Sequence, residues 1–87
     1  MSYCYTMLQS RSHAILLENR LKNEGIKCEL TYMPRDISTD LCNLGVKFSE
    51  QELPRAATLI RSSGLSGCRL FRETIYPYGS EYTEIEY

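Results

Sequence analysis

The strongest constraint on the fold is the order in which two helix-like segments alternate with four strand-like segments. In the first helix-like segment, residues 13–24, four apolar side chains recur near helical spacing: Ala14, Ile15, Leu17 and Leu21. Ser10 or Ser12 can cap its start by accepting a bond from an unpaired backbone N–H. Gly25 is typical of a helix end, because glycine readily adopts the left-handed conformation found there.

The second helix-like segment begins at a capping box that runs from Ser49 to Glu52. Its apolar residues recur at i, i+3, i+4 and i+7: Leu53, Ala56, Ala57 and Ile60. Pro54 is tolerated only in the first turn, so we expect the helix to start slightly later than the box. Gly64 is expected to close it.

Four segments rich in alternating apolar or β-branched residues are expected to be strands, at 3–8, 27–33, 44–48 and 68–76. The order strand, helix, strand, strand, helix, strand predicts an α+β, ferredoxin-like βαββαβ two-layer sandwich with an antiparallel sheet. We assign residues 1–76 to this domain, and residues 77–87 to a C-terminal hairpin extension or an acidic tail.

A hairpin is the preferred interpretation of the last residues, with Pro77-Tyr78-Gly79 as a three-residue loop. That loop would pair Tyr76 with Ser80, and counting along both strands places Arg72 opposite Glu84 and Phe71 opposite Ile85. The alternative is a disordered tail, which three glutamates close to the terminus make plausible.

Composition narrows the classes of function. Hydrophobic residues make up 43% and charged residues 24% of the chain, which are values of a globular domain. A net charge of −1 argues against a general nucleic-acid binder or membrane-surface binder. The longest apolar runs are far too short to span a bilayer, and no signal peptide is visible, so a cytoplasmic location is expected.

Four cysteines, at positions 4, 28, 42 and 68, raise the question of metal or disulfide chemistry. None of them forms a C-x-x-C pair, and His13 is not spaced as a partner, so we expect neither a zinc site nor a cofactor. Reduced thiols are expected in a cytoplasmic chain. Cys4, Cys28 and Cys68 lie in predicted strands, where packing is the simplest role.

Cys42 differs, because it ends a ten-residue connection between the second and third strands, residues 34–43. Long loops on small rigid domains are common places for binding groups. Arg35 and free backbone N–H groups could stabilise a Cys42 thiolate. Asn43 tolerates a positive φ, and Gly45 permits close approach of another backbone or a ligand. The alternative is that Cys42 is a small apolar plug beneath the loop.

Several short motifs resemble the DUF3343 family, small proteins described as Se/S carrier-like. They are a helix with Ala14 and Glu18, the step Gly25-Ile26, the pairs Pro34-Arg35 and Ile37-Ser38, and Cys42 opening the strand Asn43-Leu44-Gly45-Val46-Lys47-Phe48. The family usually has glycine after that cysteine, where this chain has Asn43. The resemblance implies a functional Cys42, surrounded by Arg35, Ser38, Asn43 and Gly45 as binding residues.

Three readings of the function follow. The first is a carrier or thiol-based accessory protein that holds sulfur or selenium on Cys42 and exchanges it with a donor or acceptor protein, without a metal. The alternative is a non-catalytic binding module for a protein partner or small ligand, which would use the sheet or the loop. A third reading, a subunit that forms a homo-oligomer by sheet-edge pairing, needs no thiol. Because no general base is apparent, we do not expect independent catalysis.

Overall fold

The computed structural model describes residues 2–37 and 43–87. Its elements, in chain order, are β1 (Tyr3–Met7), α1 (Arg11–Asn23), β2 (Cys28–Tyr32), β3 (Leu44–Ser49), a 3₁₀ turn (Glu50–Glu52), α2 (Leu53–Ser62), β4 (Arg69–Tyr76) and β5 (Gly79–Ile85). The strands form one five-stranded antiparallel sheet in the order β2-β3-β1-β4-β5. This α+β architecture is compatible with the expected ferredoxin-like layout.

Helix α1 has the ends that its sequence predicts. The Ser10 side chain accepts a hydrogen bond from the backbone N–H of His13 at 3.2 Å, which confirms Ser10 as the cap. At the other end Gly25 has a φ of 79°, and the N–H of Ile26 donates back to the Leu21 carbonyl at 3.0 Å. These contacts satisfy carbonyls in the last helical turn that would otherwise lack partners.

The main core lies between the two helices and one face of the sheet. Its buried residues are Cys4, Leu8, Ala14, Leu17, Leu21, Ile26, Leu44, Val46, Phe48, Ala56, Ile60 and Leu70. Leu53, the first residue of the apolar repeat in the second helix, is partly exposed but packs against this cluster. The prediction for Ile15 is wrong, since its side chain is 42% exposed. Helix α1 turns 100° per residue, so a residue next to Ala14 faces away from the sheet.

Helix α2 begins later than its capping box, as the position of Pro54 predicts. The Ser49 hydroxyl accepts from the N–H of Gln51 at 3.3 Å and opens the 3₁₀ turn. The α-helix proper starts at Leu53, which places Pro54 in the first turn, where no backbone donor is needed. Arg55 then binds the Glu24 carbonyl and so joins α2 to the end of α1.

Strand β2 forms one edge of the sheet, and helix α1 covers it. The Glu18 carboxylate, on α1, accepts the backbone N–H of Leu30 at 3.1 Å. The same carboxylate is 3.3 Å from the Lys22 ammonium. An edge N–H that would otherwise be open to another strand therefore has a partner within the chain.

The last residues form strand β5, which confirms the hairpin but not its register. Pro77 and Tyr78 alone make the turn, and Tyr76 pairs with Gly79 instead of Ser80. Gly79 has a φ of 142°, a conformation that other residues rarely adopt, and this allows the shorter turn.

The shift of one residue changes every predicted pair of the hairpin. Phe71 lies opposite Glu84, and Arg72 opposite Thr83. Glu84 binds Arg69 through two hydrogen bonds, at 2.8 and 3.0 Å, instead of the predicted Arg72. In the observed register, a guanidinium and a carboxylate on diagonally neighbouring residues form a two-point contact. The predicted register considered only directly opposite pairs.

Candidate functional site: the loop between β2 and β3

Of the five predicted site residues, three lie within the described structure and two lie outside it. Cys42 and Ser38 lie outside the described residues, so their roles stay predictions. Arg35 and Asn43 are exposed on either side of the segment 38–42, whereas Gly45 is buried within β3. The φ angle of Asn43 involves an atom of Cys42, so its predicted left-handed conformation also stays untested.

The incoming part of the loop is fixed by Ile37. Its backbone N–H donates to the Pro34 carbonyl at 3.1 Å, which closes a turn of four residues. Its side chain packs against a second apolar cluster, formed by Tyr5, Met7, Met33 and Phe71. This cluster lies on the face of the sheet opposite the helices, so the loop starts by folding over that face.

The outgoing part of the loop is fixed by backbone contacts. The N–H of Met33 donates to the carbonyl of Asn43, which joins the two ends of the connection. At Gly45, an added Cβ would collide with the Met33 side chain and with the Thr6 carbonyl oxygen. The close approach predicted at this glycine is therefore made by the protein itself, through β1 and the loop.

The face of the sheet beneath the loop carries an aromatic and charged network that the sequence analysis missed. Tyr82 contacts Tyr5 edge-on, with ring centroids 6.0 Å apart, and its hydroxyl donates to the Glu73 carboxylate at 3.1 Å. The Lys47 ammonium lies 4.2 Å from the centre of the Tyr3 ring. A signal was present in β1, where neither of the two alternating sets of side chains contains a charged residue, as in a strand covered on both faces.

Tyr82 also links the hairpin to the loop electrostatically. Burial raises its pKa, and so do the hydrogen bond to Glu73 and the negative charge of that carboxylate. The smaller contribution of Asp36, in the loop turn, acts in the same direction.

All three described cysteines are free thiols whose environments oppose ionisation. Burial raises the pKa of Cys4 to about 11; Glu50 adds to the effect and Arg72 opposes it. Burial also raises the pKa of Cys28 and of Cys68. The Sγ of Cys68 lies 3.5 Å from the Leu65 carbonyl oxygen, to which it donates. Since the thiolate is the reactive form, these three sites are poor nucleophiles at neutral pH.

Within residues 2–37 and 43–87, no group of three or more His, Cys, Asp or Glu side chains is placed to hold a metal ion. Neither helix of that described part is long and apolar enough to cross a membrane.

Comparison with protein families gives one match. The model of the DUF3343 family, described as "Putative Se/S carrier protein-like", matches residues 3–71. The chain belongs to this family. The match includes the whole loop between β2 and β3 and stops within β4, so β5 lies beyond the region of the Se/S carrier-like family model. Searches of curated proteins and of solved structures gave no match.

Proposed function

We propose that this Se/S carrier-like protein carries a sulfur or selenium atom on Cys42 and exchanges it with a donor and an acceptor protein. Arg35, Ser38, Asn43 and Gly45 shape the surroundings of that thiol, and the scaffold is a ferredoxin-like βαββαβ domain. The observation that supports the proposal is that Cys4, Cys28 and Cys68 all have raised pKa values, so none of these three suits the role of carrier thiol in a family described by sulfur and selenium carriage.

The transfer requires one displacement at sulfur. The Cys42 thiolate attacks the outer sulfur of a donor persulfide; a new S–S bond forms at Cys42 as the donor's S–S bond breaks. The donor cysteine leaves as a thiolate with the electron pair of the broken bond, and Cys42 retains the persulfide. For selenium the attacked atom is the outer selenium of the donor. Because the exchange is balanced, it needs no further oxidant.

The anchors of the loop support this role. Ile37 is held on the apolar cluster of the open face, and the Asn43 carbonyl is bound by Met33, so both ends of the segment 38–42 are fixed. A group carried on a short segment between fixed ends pays less entropy when it meets a partner than one on a free tail. Arg35 adds positive charge at the entrance of the same loop.

Persulfide loading tests the proposal. The reduced protein is incubated with glutathione persulfide, and mass spectrometry of peptides locates the added sulfur. We expect it on Cys42, with the Cys42→Ser variant unloaded and the Cys68→Ser variant loaded like the wild type. Arg35→Ala should slow the loading, because it removes a nearby positive charge.

Sulfur found mainly on Cys4, Cys28 or Cys68 would contradict the proposal. So would a Cys42 thiol that reacts only in denaturant, since the residue would then be a packing element beneath the loop, and a binding module would remain as the function.

A further inference from the structure

The two edges of the sheet differ in how they are protected. On β2 the N–H of Leu30 is bound by Glu18, and helix α1 packs along the strand. On the opposite side β5 has β4 as its one strand neighbour among the described residues. An edge strand with unpaired backbone groups is a template on which another extended segment can pair.

The β4–β5 hairpin also extends beyond the rest of the sheet. Strand β1 pairs with β4 no further than Glu73, whereas β4 continues to Tyr76. The side chains near the tip are open to solvent: Ile75 is 57% exposed and Tyr78 76%. The rings of Tyr76 and Tyr78 stack in parallel, with centroids 5.1 Å apart. Exposed, ordered tyrosines are typical anchors of protein interfaces.

Charge is unevenly distributed between this hairpin and the rest of the chain. Residues 73–87 contain four glutamates and no lysine or arginine, whereas residues 1–72 contain all ten basic residues and seven acidic ones. Glu81, Glu84 and Glu86 are exposed along and just beyond β5. Glu84 is paired with Arg69 through two hydrogen bonds, so the acidic character of this edge rests on Glu81 and Glu86. The edge therefore favours a positively charged partner.

We propose that the outer edge of β5 binds a basic, extended segment of a partner protein as a sixth strand, with the stacked tyrosines contacting an apolar side chain at one end of that segment. A second copy of this chain fits less well, because two β5 strands would bring Glu81 and Glu86 of both copies to one interface. The proposal does not rest on the thiol function, and since β5 lies beyond the family match, it concerns a feature outside the family model.

Binding of a synthetic probe tests the proposal. The probe is a capped peptide in which lysine alternates with valine, added to the ¹⁵N-labelled full chain and followed by backbone chemical shifts and hydrogen exchange. We expect shifts and slower exchange concentrated in residues 79–86. A peptide with glutamate in place of lysine should not bind. A peptide N-methylated along one edge, which cannot form the ladder, should lose most of the affinity.

Matched charge reversals separate edge binding from general electrostatic attraction. The double variant Glu81→Lys, Glu86→Lys should weaken binding about tenfold, since each exposed ion pair contributes up to about 1 kcal/mol. Glu29→Lys, on the opposite edge, should leave the affinity unchanged. The Cys42→Ser variant should also bind normally, which keeps this test separate from the carrier proposal.

Three outcomes would overturn the proposal. One is the absence of binding at millimolar peptide. Another is equal binding of the N-methylated peptide, which would show attraction without strand pairing. The last is concentration-dependent protection of the β5 amides without any peptide, which would show that a second copy occupies the edge.

Discussion

Cys4 is fully buried in the main core, opposite Phe48 on β3 and Arg72 on β4. Its thiol is the described group whose pKa is raised furthest among the cysteines, to about 11 from a usual value of 9.0. A protonated thiol fits this apolar position as a small hydrophobic group, while a thiolate there would be a buried negative charge close to Glu50.

The first prediction concerns stability at alkaline pH. Because the folded pKa of Cys4 is higher than the unfolded one, its contribution is complete below pH 9.0 and is lost as the pH rises towards about 11. The free energy of unfolding, measured by urea titration across this range, should therefore fall. The decline should be shallower in Cys4→Val, which keeps an apolar side chain of similar size but cannot ionise. Parallel pH profiles for both proteins would contradict this assignment.

Glu18 shows how one side chain can protect a backbone donor at the edge of a sheet. It lies one helical turn before Lys22 and reaches across to the backbone of Leu30 on β2. The helical periodicity of α1 predicts Glu18 on the water-facing side and gives no sign of this contact. The structural role of Glu18 depends on a contact between residues twelve positions apart, which periodicity does not reveal.

The second prediction separates these two contacts of Glu18. Glu18→Ala should accelerate hydrogen exchange of the Leu30 amide and lower stability by about 1.5–3 kcal/mol, since a hydrogen bond to a charged group is lost. Lys22→Ala removes the ion pair but keeps the bond to β2, so the Leu30 amide should remain protected. Glu18→Gln retains an acceptor oxygen and should give an intermediate rate. Equal exchange in all variants would show that Glu18 does not cap this edge.

The helices and strands were predictable from the sequence because their signals are local: Ser10 and Gly25 mark the ends of one helix, and Pro54 marks the start of the other. The hairpin register was not predictable in the same way. Counting from the turn compares only residues that lie directly opposite each other, whereas Arg69 and Glu84 are diagonal neighbours. At the candidate site, the loop between β2 and β3 was predicted, but the role of Ile37 as its anchor was not. The cluster that Ile37 packs against combines residues from β1, from β4 and directly after β2, and sequence periodicity does not show such contacts.

At the scale of the whole molecule, one core holds both helices on the sheet. Phe48 is central to it, being 2% exposed and paired with Cys4 on one side and Cys28 on the other. A second, smaller cluster on the opposite face holds the loop and the hairpin. An 87-residue chain with two such layers has limited stability, so loss of one large core side chain should be felt throughout.

The third prediction measures that dependence. Phe48→Ala should lower the free energy of unfolding by about 3–5 kcal/mol, because apolar burial is lost and a cavity remains. Tyr78→Ala is the matched control: it removes an aromatic ring that is 76% exposed and should change stability by less than about 1 kcal/mol. Both are read from denaturant midpoints at equal slope. A Phe48→Ala midpoint close to that of the wild type would mean that β3 does not face the core as described.

The Glu18 contact has a further consequence for polymerisation. A sheet that can accept strands at both edges can grow without limit into fibres, whereas a sheet with one capped edge stops after a single addition. On β2 the N–H of Leu30 is bound by Glu18, so the strand addition proposed at β5 would be favoured over addition at β2. Removing that carboxylate would free a backbone donor on β2, so if β5 also accepts a strand, Glu18→Ala would be able to pair at both edges and be linked into a chain.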